Sequence, residues 1–337
     1  MIALDANGAD GGPRVVAEGA RRATAEVVVY GPATELEGLA AAVVDAPRSV
    51  SNDEHPVAAL RARPDASIAQ AAAAVGAGRA EALVSAGHTG ATLAAALEHV
   101  GLLDGVDRAA LAVPLPGPGG QPTVLLDAGA GIRADGPQLV GFAHLGAAFA
   151  GAVIGLERPR VALLSMGAEA GKGTPELLAA GRELSRSPLR YVGNVEGGDL
   201  LAGSADVIVC DGFTGNVALK ALEGAARAVL GGVRAALLSG ARARLGALLA
   251  RPALGRLAAR LDPDAHGGAI LLGLRRPVVV AHGGSSADGI AAAIALARRA
   301  VDERSVERTA AALAVGLQSV PLASFAPGSA RGSRISS

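Results

Sequence analysis

The chain has 337 residues, and Lys plus Arg equals Asp plus Glu at 31 each, so the formal net charge is zero. This balance excludes a global field that attracts nucleic acid, and the single cysteine, Cys210, excludes an internal disulfide framework and suits a reducing cytoplasm. Half of the residues are apolar but only 2% are aromatic, so the core must consist of Ala, Val, Leu and Ile. Met1 runs straight into Ile2-Ala3-Leu4-Asp5, so we expect no signal peptide.

Short apolar runs alternate with Ala-rich helical stretches along the chain. The predicted strands are Ile2–Leu4, Val27–Tyr30, Ala82–Ser85, Leu111–Val113, Thr123–Leu126, Val161–Leu164, Tyr191–Val192, Val207–Val209 and Val278–Ala281. The predicted helices are Pro13–Thr24, Thr34–Val44, Ser67–Ala77, Thr89–Val100, Pro137–Leu156, Pro175–Ser185, Thr214–Leu230 and Ala287–Arg304. This order predicts an α/β fold with a mostly parallel central sheet and helices on both faces. We expect one domain over residues 1–320, and a disordered tail over 321–337.

Several predicted strands end in turns rich in Gly, Asp, Asn, Ser or Thr. In open α/β sheets ligands bind outside the carboxyl ends of the strands, so we expect these turns to meet in one crevice. Helix N-termini and Gly-rich backbone favour anions there. The turn residues that we select as candidate ligands of a substrate are Asp5, Asn7, Gly8, Ser85, Gly87, His88, Thr89, Gly90, Asp127, Asn194, Glu196, Asp211, Thr214, Gly215 and His282.

Lysine is the second signal, because the chain uses arginine for every other positive charge. Only Lys172 and Lys220 are present, and both lie in or beside Gly-rich turns, Gly171-Lys172-Gly173 and Asp211 to Lys220. A compact ammonium binds a phosphate oxygen as a point charge in a way that a guanidinium does not. Asn216 precedes Lys220 by four residues, and its amide can donate to phosphate without adding charge. An ordinary solvated surface lysine is the alternative interpretation.

Other kinds of site are not indicated by the sequence. The run from Gly167 to Gly173 lacks the spacing and the hydroxyl of a P-loop, and no G-x-S-x-G or metal-ligand spacing occurs. Cys210 has the features of a buried strand residue. We therefore expect no metal and no cofactor. A site with many oxyanion donors and no nucleophile suggests that a substrate, most naturally phosphate, supplies the attacking oxygen.

A basic amphipathic segment lies between Gly224 and Leu261, with seven arginines and no acidic residue. Its apolar residues fall near helical spacing, and Pro252 interrupts the pattern, so we predict a helical hairpin over about 224–262 with its turn near Ala250–Pro252. Such a hairpin can contact an anionic membrane or an acidic protein, or it can pack on a partner subunit. The residues that we assign to this contact are Arg242, Arg244, Leu248, Leu249, Arg251, Leu254 and Arg256.

Taken in order, these motifs resemble the bacterial phosphate acyltransferase family of phospholipid synthesis, often called PlsX. The resemblance extends from Met1 to about Val301, and its longest motif runs from Cys210 to Gly224. Shorter motifs are Ile2 to Ala6, Val84 to Gly87, Leu126 to Gly129, Gly171 to Gly173, Gly193 to Glu196, Gly267 to Ala269 and His282-Gly283. The chain departs from the family pattern at Asn7–Asp10, and also at His88, Gly131 and Ser165 or Met166, where the family usually has asparagine.

The resemblance implies transfer of an acyl chain from the thioester of acyl carrier protein to inorganic phosphate, giving acyl phosphate. It also implies a fold like that of isocitrate and isopropylmalate dehydrogenases, a homodimer, and a cytoplasmic protein at the membrane surface. On this basis Lys172, Asn216 and Lys220, with the Gly215 amide, would hold phosphate. The turn Ser85–Gly90 and Asn194 would polarise the thioester carbonyl.

Two other classes of function remain open on the sequence. One is a related enzyme of the same fold, either a phosphotransacylase that uses coenzyme A thioesters or a nicotinamide-dependent dehydrogenase, although no convincing metal-ligand set for the latter is present. The other is a non-catalytic homologue that binds phosphate or carrier protein.

Overall fold

The computed structural model describes residues 1–261, 264 and 267–318. These residues form one eleven-stranded sheet in the order β3-β2-β1-β4-β11-β10-β5-β6-β9-β7-β8. The strands are β1 (Ile2–Asp5), β2 (Val27–Gly31), β3 (Ala42–Asp45), β4 (Ala82–Ser85), β5 (Ala110–Leu115), β6 (Thr123–Leu126), β7 (Arg160–Leu164), β8 (Arg190–Val195), β9 (Val207–Val209), β10 (Ala269–Leu272) and β11 (Val278–Val280).

The sheet consists of two parallel groups that run in opposite directions. Strands β3, β2, β1, β4 and β11 are parallel, and so are β6, β9, β7 and β8. Between them, β10 pairs antiparallel with β11 and β5, and β5 pairs antiparallel with β6. We call the rim where β1, β4 and β11 end the first rim, and the rim where β6, β9, β7 and β8 end the second rim. The mostly parallel sheet is confirmed, but the two groups end at opposite rims.

Helices cover both faces of this sheet. They are α1 (Gly12–Arg22), α2 (Pro56–Ala62), α3 (Ser67–Gly76), α4 (Thr89–His99), α5 (Gly136–Phe149), α6 (Pro175–Leu184), α7 (Gly212–Leu238), α8 (Ala241–Leu261), α9 (Ala287–Asp302) and α10 (Ser305–Gln318). Side chains alternate between the faces along each strand, so Ile2 and Leu4 belong to the core on one face, which includes residues of α1, α5, α6, α9 and α10. Ala3 belongs to the core on the other face, which includes residues of α2, α3, α4 and α7. Both faces of β1 are therefore buried.

Small residues allow these layers to approach closely. A methyl group added at Gly19 of α1 would lie 2.5 Å from the Cβ of Ile290 on α9, and one at Gly146 of α5 would lie 2.5 Å from Val207 on β9. Dense packing with almost no aromatic residues therefore depends on glycine and alanine at the contacts.

Three sequence-based assignments are wrong. The predicted helix Thr34–Val44 is a 3-10 turn at Ala33–Glu35 followed by strand β3, whose Val-Val pair suits a strand better than an Ala-rich helix. The hairpin turn lies at Ser239–Gly240 rather than near Ala250–Pro252, and Pro252 lies inside α8. Strand β10 and helices α2 and α10 were not predicted. The tail over 321–337 lies outside the described residues.

The segment Gly136–Ile154 is long and apolar enough to cross a membrane. It comprises α5 and a short π-helical extension, and 67% of its most apolar window is buried in the protein. It packs between the sheet, α6 and α10, so it is a core helix.

Candidate active site

The turn after β1 is organised by a buried carboxylate. Asp5 is only 3% exposed and accepts hydrogen bonds from Oγ of Ser67 at 2.6 Å, from Oγ of Ser85 at 2.8 Å and from the amide of Asn7 at 3.2 Å. Burial raises the pKa of Asp5 to about 6, although all three hydrogen bonds act to lower it. Asp5 thus ties together the ends of β1 and β4 and the start of α3. Ser67 was not among the predicted residues, because nothing in its local sequence marks it.

Asn7 and Gly8 lock the first turn onto its neighbours. The side-chain amide of Asn7 donates from Nδ2 to the Ala46 carbonyl and to Oγ of Ser67, both at 3.0 Å. Gly8 has a φ of +89°, and a methyl group there would lie 2.7 Å from Cα of Gly87. Only glycine therefore suits this position, and the turns after β1 and β4 are in backbone contact.

His88 is the N-cap of α4. Its Nδ1 accepts from the amides of Gly90 at 2.9 Å and Ala91 at 3.3 Å. In the neutral ring the hydrogen then lies on Nε2, a tautomer assigned from these hydrogen bonds. The Gly87 amide is also engaged, because it donates to Oγ of Ser85 at 3.1 Å. The amides of Gly87, Gly90 and Ala91 therefore support the conformation of the turn itself, and Nε2–H of His88 is a side-chain donor that the turn offers. Thr89 occupies the first helical position.

Helix α7 begins at the second rim and reaches the first. Asp211 caps it, with Oδ1 accepting from the Thr214 amide at 2.9 Å and Oδ2 from the Thr214 hydroxyl at 2.8 Å. The eight helical steps from Gly212 to Lys220 give a rise of about 12 Å, which matches the length of the short strands of the sheet. Gly215 packs directly on the Asp127 carbonyl, and its amide donates to the Asp211 carbonyl at 2.9 Å.

Asn216 and Lys220 lie one turn apart on the same side of α7, and both are exposed. Asn216 lies beside Gly129, whereas Nζ of Lys220 lies 3.0 Å from Oε2 of Glu223 and 3.4 Å from Nε2 of His282. The amide of Gly284 donates to Nδ1 of His282 at 3.1 Å, so the neutral His282 ring carries its hydrogen on Nε2. An ammonium and an N–H donor therefore converge where a single anion would accept from both.

A second buried aspartate holds the turn after β6. Asp127 is 1% exposed and accepts from the amides of Leu111, Gly129, Ala130 and Gly131 at 2.7 to 3.0 Å. Burial raises its pKa despite these hydrogen bonds. Because its oxygens are fully engaged, Asp127 shapes the loop against which α7 packs. Cys210 donates to the Asp127 carbonyl at 3.4 Å, and burial raises the pKa of its thiol. Its burial confirms the prediction, although Cys210 lies just after β9 and not in the strand.

The turn that carries Lys172 lies at the second rim. The side-chain amide of Asn194 donates to the carbonyls of Glu169 at 3.0 Å and Lys172 at 3.1 Å, so both hydrogens on Nδ2 stabilise this turn. Glu196 caps the short 3-10 helix Gly197–Leu201 and its amide donates to Oδ2 of Asp199. Oγ of Ser165 is buried beneath Gly173 without a hydrogen-bond partner among the described residues.

The candidate residues thus fall into two groups. Asp5, Asn7, Gly8, the turn Ser85–Gly90 and His282 lie at the first rim, where Lys220 joins them. Asp127, Lys172, Asn194, Glu196 and Asp211 to Gly215 lie at the second rim, whereas Asn216 lies on α7 one turn before Lys220. The expectation that all turns meet in one crevice is wrong for a single chain, because the antiparallel strands β10 and β5 reverse the direction of the sheet. Strands β7 and β11 are five strand spacings apart, roughly 24 Å, so Lys172 and Lys220 do not share a pocket within one chain.

Residues 1–308 match the model of the family described as fatty acid synthesis protein. The chain is 45% identical over 326 residues to a phosphate acyltransferase of Thermobifida fusca, covering 91% of this chain and 89% of that protein. It is 43% identical over 320 residues to a phosphate acyltransferase of Heliobacterium modesticaldum, covering 90% of this chain and 95% of that protein.

Solved structures with a similar fold are more distant in sequence. A branched-chain phosphotransacylase of Enterococcus faecalis matches with a TM-score of 0.59 at 17% identity, covering 89% of this chain and 99% of that one. A 4-hydroxythreonine-4-phosphate dehydrogenase of Klebsiella pneumoniae matches with a TM-score of 0.53 at 16% identity, with the same coverage. These two likenesses show the fold alone. The matches over nine-tenths of the sequence show that the chain belongs to the phosphate acyltransferase (PlsX) family.

Proposed function

We propose that this chain transfers a fatty acyl group from acyl carrier protein to inorganic phosphate, and that phosphate binds between Lys220, His282 and Asn216. The observation that carries the placement is the 3.4 Å approach of the Lys220 ammonium to Nε2 of His282. Two donors this close repel each other, and an anion that accepts a hydrogen bond from both would offset this repulsion. Glu223, whose side chain is 11% exposed, forms an ion pair with the same ammonium at 3.0 Å.

The reaction needs no nucleophile from the protein. A phosphate oxygen attacks the thioester carbonyl carbon, a C–O bond forms, the C–S bond breaks, and the thiolate leaves as a thiol after taking a proton from solvent. A thiol with a pKa of about 8.5 leaves with little help. The protein therefore contributes position and donors to the oxyanion.

Nε2–H of His88 is our candidate donor to the carbonyl oxygen. His88 follows β4, which pairs with β11, so His88 and His282 lie after adjacent strand ends at the first rim. Asp5 and Ser85 stabilise the turn that carries His88, because Ser85 donates to Asp5 and accepts from the Gly87 amide. Asn194, Asp127, Asp211 and Thr214 have the analogous positioning role at the second rim.

Lys172 contributes to phosphate binding, in this proposal, across a homodimer. Within one chain it is too far from Lys220, and its ammonium has no acidic partner within 4.0 Å among the described residues. The test is co-expression of Lys172→Ala and Lys220→Ala chains. Half of the dimers formed at random are hybrids with one intact site, so we expect about a quarter of wild-type turnover. Two inactive variants that stay inactive when co-expressed would contradict the shared site.

The hairpin of α7 and α8 is our candidate contact for the membrane surface and for acidic carrier protein, and we place the protein in the cytoplasm at the membrane. The apolar side chains Leu245, Leu248 and Leu249 are 62%, 63% and 78% exposed, beside exposed Arg242, Arg244, Arg251 and Arg256, with Leu254 half-buried. Vesicle sedimentation tests this: anionic vesicles should retain the wild type, and Leu248→Ser with Leu249→Ser should release it. Equal retention of wild type and double variant would contradict the assignment.

The assay of the main proposal is release of free thiol from acyl carrier protein thioester. We expect release that requires phosphate and that falls by 10²–10³ in Lys220→Ala, as for the loss of one oxyanion donor. The coenzyme A thioester of the same acyl chain distinguishes the related phosphotransacylase. No release from either thioester at any phosphate concentration would favour a non-catalytic binding protein.

A further inference from the structure

The hydroxyl of Ser67 joins the turn after β1 to helix α3. Ser67 is the first residue of α3 and is 1% exposed. Its Oγ donates to Oδ1 of Asp5 at 2.6 Å and accepts from Nδ2 of Asn7 at 3.0 Å. Its backbone amide donates to the Arg48 carbonyl at 2.9 Å, and α3 is buried against β1, β2, β4 and α4 along most of its length. The hydroxyl is therefore held in place by buried structure on every side that these contacts define.

A second hydroxyl lies on the other side of the same carboxylate. Oγ of Ser85 donates to Oδ2 of Asp5 at 2.8 Å and accepts from the Gly87 amide at 3.1 Å. Each serine thus donates once to the carboxylate and accepts once from an amide, and we call this set of hydrogen bonds the Asp5 network. Because Asp5 and Ser85 are 3% and 0% exposed, water does not readily replace a hydroxyl that is removed from it.

The Asp5 network ends at the turn that carries His88, the candidate donor to the thioester carbonyl. Removal of the Ser67 hydroxyl would leave Oδ1 of Asp5 with the hydrogen bond from the Asn7 backbone amide at 3.2 Å. The carboxylate is then free to turn away from Ser85, and the turn loses its support. A displacement of about 1 Å at a catalytic group lowers the rate by about 10²-fold.

We propose that Ser67 is a positioning residue of the acyl transfer, which fixes through Asp5 the turn from which His88 donates. This inference rests on the proposed function, and Ser67 itself touches no substrate in it. The phosphate site that we propose at Lys220 and His282 lies on α7 and after β11, outside the Asp5 network. Loss of the Ser67 hydroxyl should therefore lower kcat and leave the KM for phosphate unchanged.

The test compares Ser67→Ala with Ser305→Ala in phosphate-dependent release of thiol from acyl carrier protein thioester. Ser305 is the matched control, because it is also the first residue of a helix and is 3% exposed, but its helix α10 packs on α5 and α9. We expect kcat to fall by about 10- to 100-fold in Ser67→Ala, with a KM for phosphate within about twofold of wild type. Both values should stay near wild type in Ser305→Ala.

Melting temperatures establish whether each variant is folded at the assay temperature. Ser67→Cys keeps a side chain of similar shape but offers only a weak donor, so it provides the same comparison if Ser67→Ala does not fold. A double variant asks whether Ser67 acts through Asp5. Because Asp5→Asn already disrupts the network, adding Ser67→Ala to it should lower kcat by no more than about twofold further.

Three outcomes would overturn the inference. They are an unchanged kcat in a folded Ser67 variant, a loss of kcat as large in Ser305→Ala as in Ser67→Ala, and losses from Ser67→Ala and Asp5→Asn that multiply fully in the double variant. A wild-type protein that releases no thiol would refute the proposed function, and this inference with it. Phosphate-dependent release by the wild type with an unchanged kcat in the Ser67 variants would refute this inference alone.

Discussion

Asp5→Asn should gain stability relative to the wild type as the pH rises from 5 to 8, while it lowers turnover. The pKa of Asp5 is about 6 in the folded protein and 3.8 in its ordinary state, so the folded protein holds the proton more tightly than the unfolded chain. Wild-type stability therefore falls as the pH rises from about 3.8 through 6, by about 3 kcal/mol in total at 1.36 kcal/mol per pKa unit. Asparagine does not titrate, so the variant lacks this loss.

The measurable part of this effect lies between pH 5 and 8. Over that interval the wild type should lose about 1.4 kcal/mol relative to Asp5→Asn, or about 3 °C in melting temperature. Taking the difference between the two proteins removes the titration of all other groups. Turnover should fall in the variant, because a carboxamide has one acceptor oxygen where Ser67 and Ser85 now donate to two.

Denaturant unfolding of both proteins at pH 5, 6, 7 and 8 is the assay, with thiol release measured on the same samples. A wild-type-minus-variant difference that stays flat across this range would show that burial does not raise the pKa of Asp5. A difference that grows in favour of the wild type as the pH rises would reverse the sign of the argument.

Three further predictions test the turns. Gly8→Ala should cost about 2 kcal/mol or more of unfolding free energy, because Gly8 has a positive φ and a methyl group there would overlap Gly87. Gly12→Ala should cost about 1 kcal/mol, because Gly12 has a φ of +71° but no neighbour within 4 Å. Equal costs in denaturant unfolding would contradict the contact between Gly8 and Gly87. His88→Asn should keep the cap of α4 and most of the stability, whereas His88→Ala should lose about 1 kcal/mol, and identical melting temperatures would refute the cap. Cys210→Ala should retain phosphate-dependent turnover, and its abolition without unfolding would make the thiol part of the chemistry.

Much of the secondary structure follows from local pattern. The apolar runs that begin at Ile2, Val27, Ala82 and Val207 form strands because they are buried on both faces. Pattern failed at residues 34–44, where alanine content favoured a helix but pairing with β2 formed β3. It also failed at the hairpin turn, where Pro252 was taken as a break although Ser239 and Gly240 end α7.

The roles of individual turn residues were less accessible. The sequence selected His88 and Asn194 as donors to a substrate, and it did not show that Nδ1 of His88 caps α4, which leaves Nε2 for that role, or that the Asn194 side chain holds the Lys172 turn. Ser67 was missed because it meets Asp5 only through the packing of distant segments. Glu223 was also missed, although its partner Lys220 lies only three residues away on α7.

The sequence by itself determined the family, the α/β class and the positions of the Gly-rich turns, because these depend on residue types and on spacing along the chain. Only the tertiary structure decided which turns meet. Strands β10 and β5 each pair antiparallel with their neighbours, and this reversal places Lys172 and Lys220 at opposite rims. Strand direction is set by which segments pair at long range, and a local pattern of apolar residues reads the same for either direction.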